Sequence, residues 1–188
     1  MRKVIAGLFL SLDGVMESPE KWHLPYFNDE MEEAIGAAMG QADAMLMGRV
    51  LYEEWAAYWP QQDPEENPVA ARMNGVRKYV VSTTLEEPLE WNNSTLIKGD
   101  VPEAVAALKQ QPGKDLQVIG SGDLAQTLMR HDLVDEYRLM IHPLVLGSGS
   151  RLFRDGSPRI ALRLVDTRPT GTGVLILTYR PAGRDAEG

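Results

Sequence analysis

Residues 115–130 limit the fold of this chain more than any other stretch. An apolar run typical of a buried strand, 116–119, meets Gly120-Ser121-Gly122, and apolar residues then recur at helical spacing over 124–129. Glycines let the backbone approach a ligand closely, and the free N–H groups of a helix N-terminus attract anions. The segment is therefore predicted to hold the phosphates of a nucleotide. A tight strand-to-helix turn without a ligand is the alternative.

Two further predicted strands end in residues that suit an anion. The strand at 44–47 runs directly into Gly48-Arg49 and a helix, and the strand at 77–82 ends in Ser82 and Thr83. Arginine can bind a phosphate through two parallel hydrogen bonds, and hydroxyl groups can also contact one. A solvated arginine and hydroxyls that only cap the turn are the alternatives for these positions.

The first predicted strand, 3–10, is followed by Ser11-Leu12-Asp13-Gly14. In open α/β sheets ligands bind at the carboxyl ends of the strands, so this turn is a candidate site. A plain turn is the alternative, and the local pattern slightly favours it. Further on, Asn28 is predicted to cap a helix that has Asp29 in its first turn. Asp29 either stabilises the helix dipole at the surface or points into a cleft.

The order of predicted elements indicates an α/β protein with a mainly parallel, mixed sheet. Strands and helices alternate through the first two thirds of the chain, and two alternating segments, 159–166 and 174–179, form a closing antiparallel hairpin. We expect a single domain over residues 1–180 and a polar tail over 181–188.

Composition excludes several classes of protein. The chain has 188 residues and no cysteine, which rules out disulfides and thiolate metal sites and fits a cytoplasmic protein. Its net charge of −8 argues against nucleic-acid binding. No apolar run reaches the ~20 residues of a membrane span, and the apolar N-terminus is better explained as a strand than as a signal peptide. The three histidines lie too far apart to predict a metal site.

Residues 120–125 match the dinucleotide fingerprint Gly-x-Gly-x-x-Gly/Ala, yet an ordinary Rossmann fold is rejected. The motif lies late in the chain. The strand that follows ends at His142-Pro143, where a ribose-binding acid is required. The phosphate prediction is kept without that fold.

Four ordered motifs together resemble one family, the reductase domain of the bifunctional riboflavin-biosynthesis deaminase-reductase, a relative of dihydrofolate reductase. They are Ser11-Leu12-Asp13-Gly14, Gly48-Arg49-Val50-Leu51-Tyr52-Glu53, Val118-Ile119-Gly120-Ser121-Gly122, and Leu133-Val134-Asp135-Glu136 running on to 143–149 and Leu152-Phe153.

The resemblance implies a dihydrofolate reductase-like, three-layer α/β/α fold that uses NADPH, and a homodimer. It implies catalytic roles for Asp29, as the substrate-binding acid, and for Asp13. The implied cofactor-binding residues follow the same strand ends: Ser11 and Gly14 beside the nicotinamide, Gly48, Arg49 and Val50 by the phosphates, Ser82 and Thr83 near the adenosine ribose and its 2′-phosphate, and Gly120, Ser121, Gly122, Asp123 and Leu124 around the pyrophosphate.

The sequence also departs from that family. The zinc-binding pattern of the deaminase half is absent, no basic cluster is evident for a substrate ribose phosphate, and Ser121 replaces the second glycine of a usual Gly-Gly pair. The expected function is an NADPH-dependent reductase of a nitrogen heterocycle, resembling the 5-amino-6-(5-phosphoribosylamino)uracil reductase. A dihydrofolate reductase and a nucleotide-binding protein without turnover are the alternatives.

Overall fold

A computed structural model describes residues 1–183 and places eight strands in one mixed sheet. The sheet order is β4-β3-β2-β5-β1-β6-β8-β7. Strands β1 to β6 are parallel to one another, whereas β8 pairs antiparallel with both β6 and β7. The strands are β1 (Val4–Ser11), β2 (Ala42–Gly48), β3 (Arg77–Val81), β4 (Ser94–Ile97), β5 (Asp115–Ile119), β6 (Glu136–His142), β7 (Leu162–Pro169) and β8 (Leu175–Pro181).

Five α-helices connect these strands, and three of them begin with a side-chain cap. Asn28 accepts a hydrogen bond from the Met31 amide, Asn67 accepts from Val69 and Ala70, and Asp100 accepts from Glu103. The helices are α1 (Asp29–Gln41), α2 (Arg49–Tyr58), α3 (Pro68–Gly75), α4 (Val101–Gln110) and α5 (Gly122–Arg130). The cap at Asn28 confirms the predicted helix start.

The helices cover both faces of the sheet. Alternate residues of a strand point to opposite faces, and both faces of this sheet carry apolar side chains that the helices bury. Along β1 the even-numbered residues from Val4 to Leu10 join the core beneath α4 and α5. On the other face, α2 and α3 bury Met45 and Met47 of β2, while α1 packs over β1, β6 and β8 through Met31. The predicted α/β class, with a mainly parallel sheet and a C-terminal antiparallel hairpin between helical layers, is confirmed.

The C-terminal hairpin begins later than its sequence pattern indicates. The pattern at 159–166 predicts a strand there, whereas β7 starts at Leu162 and carries an irregularity in register between Leu164 and Asp166. A bulge interrupts strict alternation, so the pattern locates such a strand poorly. The predicted polar tail, 181–188, lies mostly outside the described residues.

The segment after β6 returns along the turn that follows β1. The Leu12 amide donates to the Leu144 carbonyl (2.8 Å), and the Leu152 amide donates to the Gly14 carbonyl (3.1 Å). These bonds hold a loop from the last third of the chain against the carboxyl end of the first strand.

Candidate active site at the carboxyl edge of the sheet

The carboxyl ends of β2, β3 and β5 lie side by side, since β2 pairs with both other strands. The Gly48 amide donates to the Ser121 hydroxyl at 2.8 Å, which joins the ends of β2 and β5 directly. Gly48 is also the register partner of Val81, the residue before Ser82. Gly48, Ser82 and Gly120 therefore border one edge of the sheet rather than separate surfaces.

Two helix N-termini meet at this edge without side-chain caps. The residues before α2 and α5, Gly48 and Ser121, accept no capping hydrogen bond through a side chain. Every other α-helix within residues 1–183 has such a cap. The first N–H groups of a helix have no partner within it and carry the positive end of its dipole. Two convergent ends of this kind suit a ligand with a diphosphate group.

The glycines of the β5–α5 turn occupy positions that a side chain would fill. Gly120 has a φ of +58°, and a Cβ there would lie 3.1 Å from Cδ2 of Leu51 in α2. A Cβ on Gly122 would lie 3.0 Å from both Nη2 of Arg154 and Sδ of Met16. The turn is therefore packed closely between α2 and residues of two other loops.

Several of the predicted cofactor-binding side chains already have partners in the protein. Arg49 pairs with Glu53 at 2.8 Å, with both side chains about half exposed. The buried Ser82 hydroxyl accepts hydrogen bonds from the amides of Thr84 and Leu85. Asp123 pairs with Arg154 at 2.6 Å. These contacts leave the backbone amides, more than the side chains, available at the edge.

Three other predicted residues differ in exposure. Val50 and Thr83 are exposed, whereas the Leu124 side chain is buried in the core beneath α4 and α5. Leu124 can therefore contribute to a ligand site only through its backbone. Its side chain serves to fix the start of α5 on the sheet.

Asp13 is held by the loop that returns along the β1 turn. Its carboxylate accepts hydrogen bonds from the Ser11 hydroxyl (2.6 Å) and from the amides of Leu146 (3.1 Å) and Gly147 (2.9 Å). Arg151 lies 3.3 Å away. The Ser11 hydroxyl, followed by the two amides, holds the pKa of Asp13 well below its usual range. Asp13 thus stays ionised at neutral pH and organises the turn that contains Ser11 and Gly14.

Asp29 lies in the exposed first turn of α1. The neighbouring Glu30, by contrast, forms hydrogen bonds within the protein. Its carboxylate accepts one from the Gly171 amide (2.6 Å) and one from the Asn28 side chain (2.9 Å). These contacts attach the start of α1 to the β7–β8 turn. Asp29 is exposed in this turn, and its substrate-binding role stays a prediction.

On one face of the sheet, α1 and α2 pack over two separate apolar clusters, and the strip of sheet between these clusters is the candidate cleft. The apolar cluster beneath α1 includes Phe9 of β1, and the cluster beneath α2 and α3 includes Ile119 of β5. At the amino edge the two sides are joined, because Arg72 of α3 donates to the carbonyls of Met39 (2.6 Å) and Ala42 (2.5 Å) at the end of α1. These bonds close the candidate cleft at the amino edge, opposite the edge where the uncapped helix ends lie.

An aromatic cluster borders the cleft on the α1 side. His23 stacks on Phe9 with ring centroids 4.9 Å apart, and Trp22 and Tyr26 contact the ring of His142 edge-on. His142 is fully buried; Nδ1 lies 3.0 Å from the Met140 carbonyl, while Nε2 has no partner among the described residues. Burial lowers the pKa of His142, so the ring is neutral.

The contact of His142 with this aromatic loop was not evident from the sequence. The two histidines come from positions 23 and 142, and only the pairing of β1 with β6 brings the two segments together. A usable signal was the buried-strand pattern of 136–142, which ends in a histidine. No group of three metal-ligating side chains occurs within residues 1–183, and no helix of this part of the chain is long and apolar enough to cross a membrane.

A second groove lies at the opposite, amino edge of the sheet. It has a volume of about 670 Å³, and its lining includes Arg2, Asp43, Arg77 and Tyr79. Arg2 and Asp43 form an ion pair with each other, and Arg77 donates to the Tyr79 hydroxyl (3.5 Å). These charged groups already have partners, and no uncapped helix end points there, so we place the candidate site at the carboxyl edge.

A sequence profile of the RibD C-terminal domain matches residues 2–176, nearly the whole described chain. The chain belongs to the RibD C-terminal domain family. Two Bacillus subtilis (strain 168) relatives, both uncharacterized, are similar along nearly their full lengths. YyaP is 34% identical over 180 residues, covering 95% of this chain and 94% of its own. YwjB is 26% identical over 179 residues, covering 92% and 95%.

Solved structures share the fold of this RibD C-terminal domain protein. A candidate riboflavin biosynthesis protein from Shewanella sp. PV-4 has a TM-score of 0.77 at 22% identity, covering 96% of this chain and 99% of that one. A pyrimidine reductase-like protein from Corynebacterium diphtheriae has a TM-score of 0.68 at 15% identity, covering 96% and 92%.

The third structure is a larger protein from Thermotoga maritima, a diaminohydroxyphosphoribosylaminopyrimidine deaminase/5-amino-6-(5-phosphoribosylamino)uracil reductase. Its TM-score is 0.64 at 15% identity, with 96% of this chain covered. The chain spans 56% of the length of that bifunctional protein.

Proposed function

We propose that this protein is an NADPH-dependent reductase of a nitrogen heterocycle, resembling the 5-amino-6-(5-phosphoribosylamino)uracil reductase. The observation that carries the proposal is the meeting of two uncapped helix N-termini, joined by the bond between Gly48 and Ser121, at the mouth of a cleft. Membership in a family whose reductases generally use a nicotinamide cofactor supports it.

In this proposal the backbone holds the cofactor phosphates. The first amides of α5, after Ser121, and those of α2, after Gly48, bind the pyrophosphate. Arg49 lies beside them and is exposed enough to leave Glu53 for the 2′-phosphate. Thr83 is exposed next to the same edge and contacts the adenosine ribose.

When bound, NADPH supplies the hydride, and the residues of this chain orient the two rings and exclude water. The β1 turn, held by Asp13, forms one wall beside the nicotinamide. Because Asp13 is ionised and accepts several hydrogen bonds, its role here is to position that turn rather than to donate a proton. Asp29 is the carboxyl group left to contact the substrate ring.

Titration calorimetry with NADPH and NADH tests the proposal. We expect NADPH to bind in the micromolar range, and NADH more weakly. The control ligand is adenosine 2′,5′-bisphosphate, which has the 2′-phosphate but no nicotinamide. No heat with either dinucleotide would refute the proposed function.

A nucleotide-binding protein without turnover is the second candidate. It is favoured by the engagement of Asp13 and by the exposed position of Asp29, since neither acid is buried and poised as a proton donor. Oxidation of NADPH, followed at 340 nm with a panel of pterins and pyrimidines, separates the two candidates. Steady turnover of one compound excludes the second candidate.

We also propose a homodimer in which β7 takes part. This edge strand is exposed along most of its length, including Leu164 and Val165, and Leu175 of the adjacent strand β8 is exposed as well. Exposed apolar residues on an edge strand are a liability for a monomer unless another surface covers them. A second copy of the chain would cover them.

A further inference from the structure

Strand β5 lies between β2 and β1 and so runs beneath the candidate cleft, and one polar side chain projects from it on that face. Leu116 and Val118 point into the core beneath α4 and α5, so Gln117 points to the opposite face, where the cleft lies. Gln117 belongs to neither apolar cluster on that face and is half-buried. No side-chain hydrogen bond of Gln117 is found within residues 1–183.

Gly7 of β1 makes room for this side chain. A Cβ on Gly7 would lie 3.0 Å from Nε2 of Gln117 and 4.0 Å from its Cδ. Because Gly7 pairs with Ile119 whereas Ile5 pairs with Gln117, the carboxamide leans across β1 toward the carboxyl edge. It therefore points toward the mouth of the cleft rather than toward its closed base.

An uncharged carboxamide offers both a donor and an acceptor. One donated and one accepted hydrogen bond, side by side, match an amide or imide group, in which a carbonyl lies next to an N–H. A carboxamide on the floor of a site fixes the orientation of a flat ring, because the wrong orientation leaves the carboxamide unpaired.

We infer that Gln117 is a specificity-determining residue that binds an amide group of the ligand in the cleft. The inference rests on the proposed function, and two ligands of that function have such a group. One is the nicotinamide, through its carboxamide, and the other is the uracil-type ring of a substrate.

The test compares wild type with Gln117→Met, which keeps the length of the side chain and removes both hydrogen-bonding groups. Gln111→Met makes the same change at an exposed position after α4 and is the matched control. Gly7→Ala is a second variant, because it crowds the carboxamide without removing it. Thermal unfolding establishes that each variant is folded.

Two binding measurements separate the two sources of the amide. The first titrates NADPH and its 3-acetylpyridine analogue, which has a ketone in place of the carboxamide. The second titrates 5,6-diaminouracil into protein saturated with NADP+. We expect Gln117→Met to weaken binding at least tenfold in one measurement, Gly7→Ala to weaken it less in the same one, and Gln111→Met to change neither.

If Gln117 binds the nicotinamide, the analogue binds wild type more weakly than NADPH does, and Gln117→Met removes that difference. If it binds the substrate ring, the loss is confined to 5,6-diaminouracil. Unchanged affinity in both measurements, with NADPH still bound by wild type, overturns the inference and leaves the proposed function standing. A wild-type protein that binds neither probe overturns both.

Discussion

Replacing Gly120 by alanine tests the β5–α5 turn most directly. The residue has a φ of +58°, a conformation that costs an L-amino acid about 1–2 kcal/mol. The added methyl group would also lie 3.1 Å from Cδ2 of Leu51, and moving that leucine from its rotamer costs roughly 0.5 kcal/mol. We expect the free energy of unfolding to fall by about 2 kcal/mol, which lowers Tm by about 4–8 °C in a chain of this size.

Two other glycines separate the causes of this effect. Gly14 has a φ of +82° with nothing near its missing Cβ, so Gly14→Ala reports the backbone strain alone. Gly36 lies in the middle of α1 with open space around it, so Gly36→Ala should stabilise the protein by about 0.5–1 kcal/mol. Circular dichroism during heating gives the Tm values of wild type and the three variants and so ranks their stability.

The same variant also tests the ligand site. Gly120→Ala should weaken NADPH at least tenfold, the equivalent of one lost hydrogen bond to a charged group, about 1.5 kcal/mol. Gly36→Ala should bind NADPH like wild type. If Gly120→Ala is more stable than Gly14→Ala, the reasoning about Leu51 is refuted. If its affinity for NADPH is unchanged, the amides of this turn do not contact the cofactor.

Three further results are expected. Calorimetry should show that Arg49→Ala weakens the binding of NADPH about tenfold and that of NADH much less, because only NADPH has the 2′-phosphate. Glu53→Gln frees the guanidinium of Arg49 and should weaken the binding of neither dinucleotide. Equal losses of affinity for Arg49→Ala would contradict the placement of Arg49 beside the 2′-phosphate. Burial lowers the pKa of His142, so the unfolded chain takes up the proton of this residue at a higher pH than the folded protein does, and the stability that the neutral ring contributes is complete above pH 6.5 and is lost as the pH falls below it. We expect His142→Gln to reduce the slope of the free energy of unfolding, measured with urea, against pH by up to about 1.4 kcal/mol per pH unit. Equal slopes for the two proteins would show that His142 does not contribute. Analytical ultracentrifugation should give wild type a mass of two chains of 20.9 kDa each, and Leu164→Arg the mass of one chain. A monomeric wild type would contradict the dimer proposal.

Local signals predicted the elements that build the candidate site. The glycines after β2 and β5 interrupt apolar strands and precede helical spacing, and both junctions form where this pattern indicates. Asn28 and Asp100 cap their helices for the same reason, because a cap depends on residues three positions apart. Short-range chemistry of this kind can be read from a single sequence.

Contacts between distant segments could not be predicted in the same way. Asp13 looks like a turn residue, and its partners Leu146 and Gly147 lie more than 130 positions later in the chain. The space that Gly7 leaves for Gln117 depends on the register of β1 against β5. The alternation of Leu116, Gln117 and Val118 does signal a polar side chain on one face, but not that a cleft lies over it.

The attachment of Arg72 to the end of α1 has a mechanical consequence. One guanidinium joins the ends of two helices that cover different parts of the sheet, so the spacing of α1 and α3 at this edge depends in part on a single side chain. Replacing Arg72 would release the last turn of α1, whereas the first turn would still be held by Asn28 and Glu30.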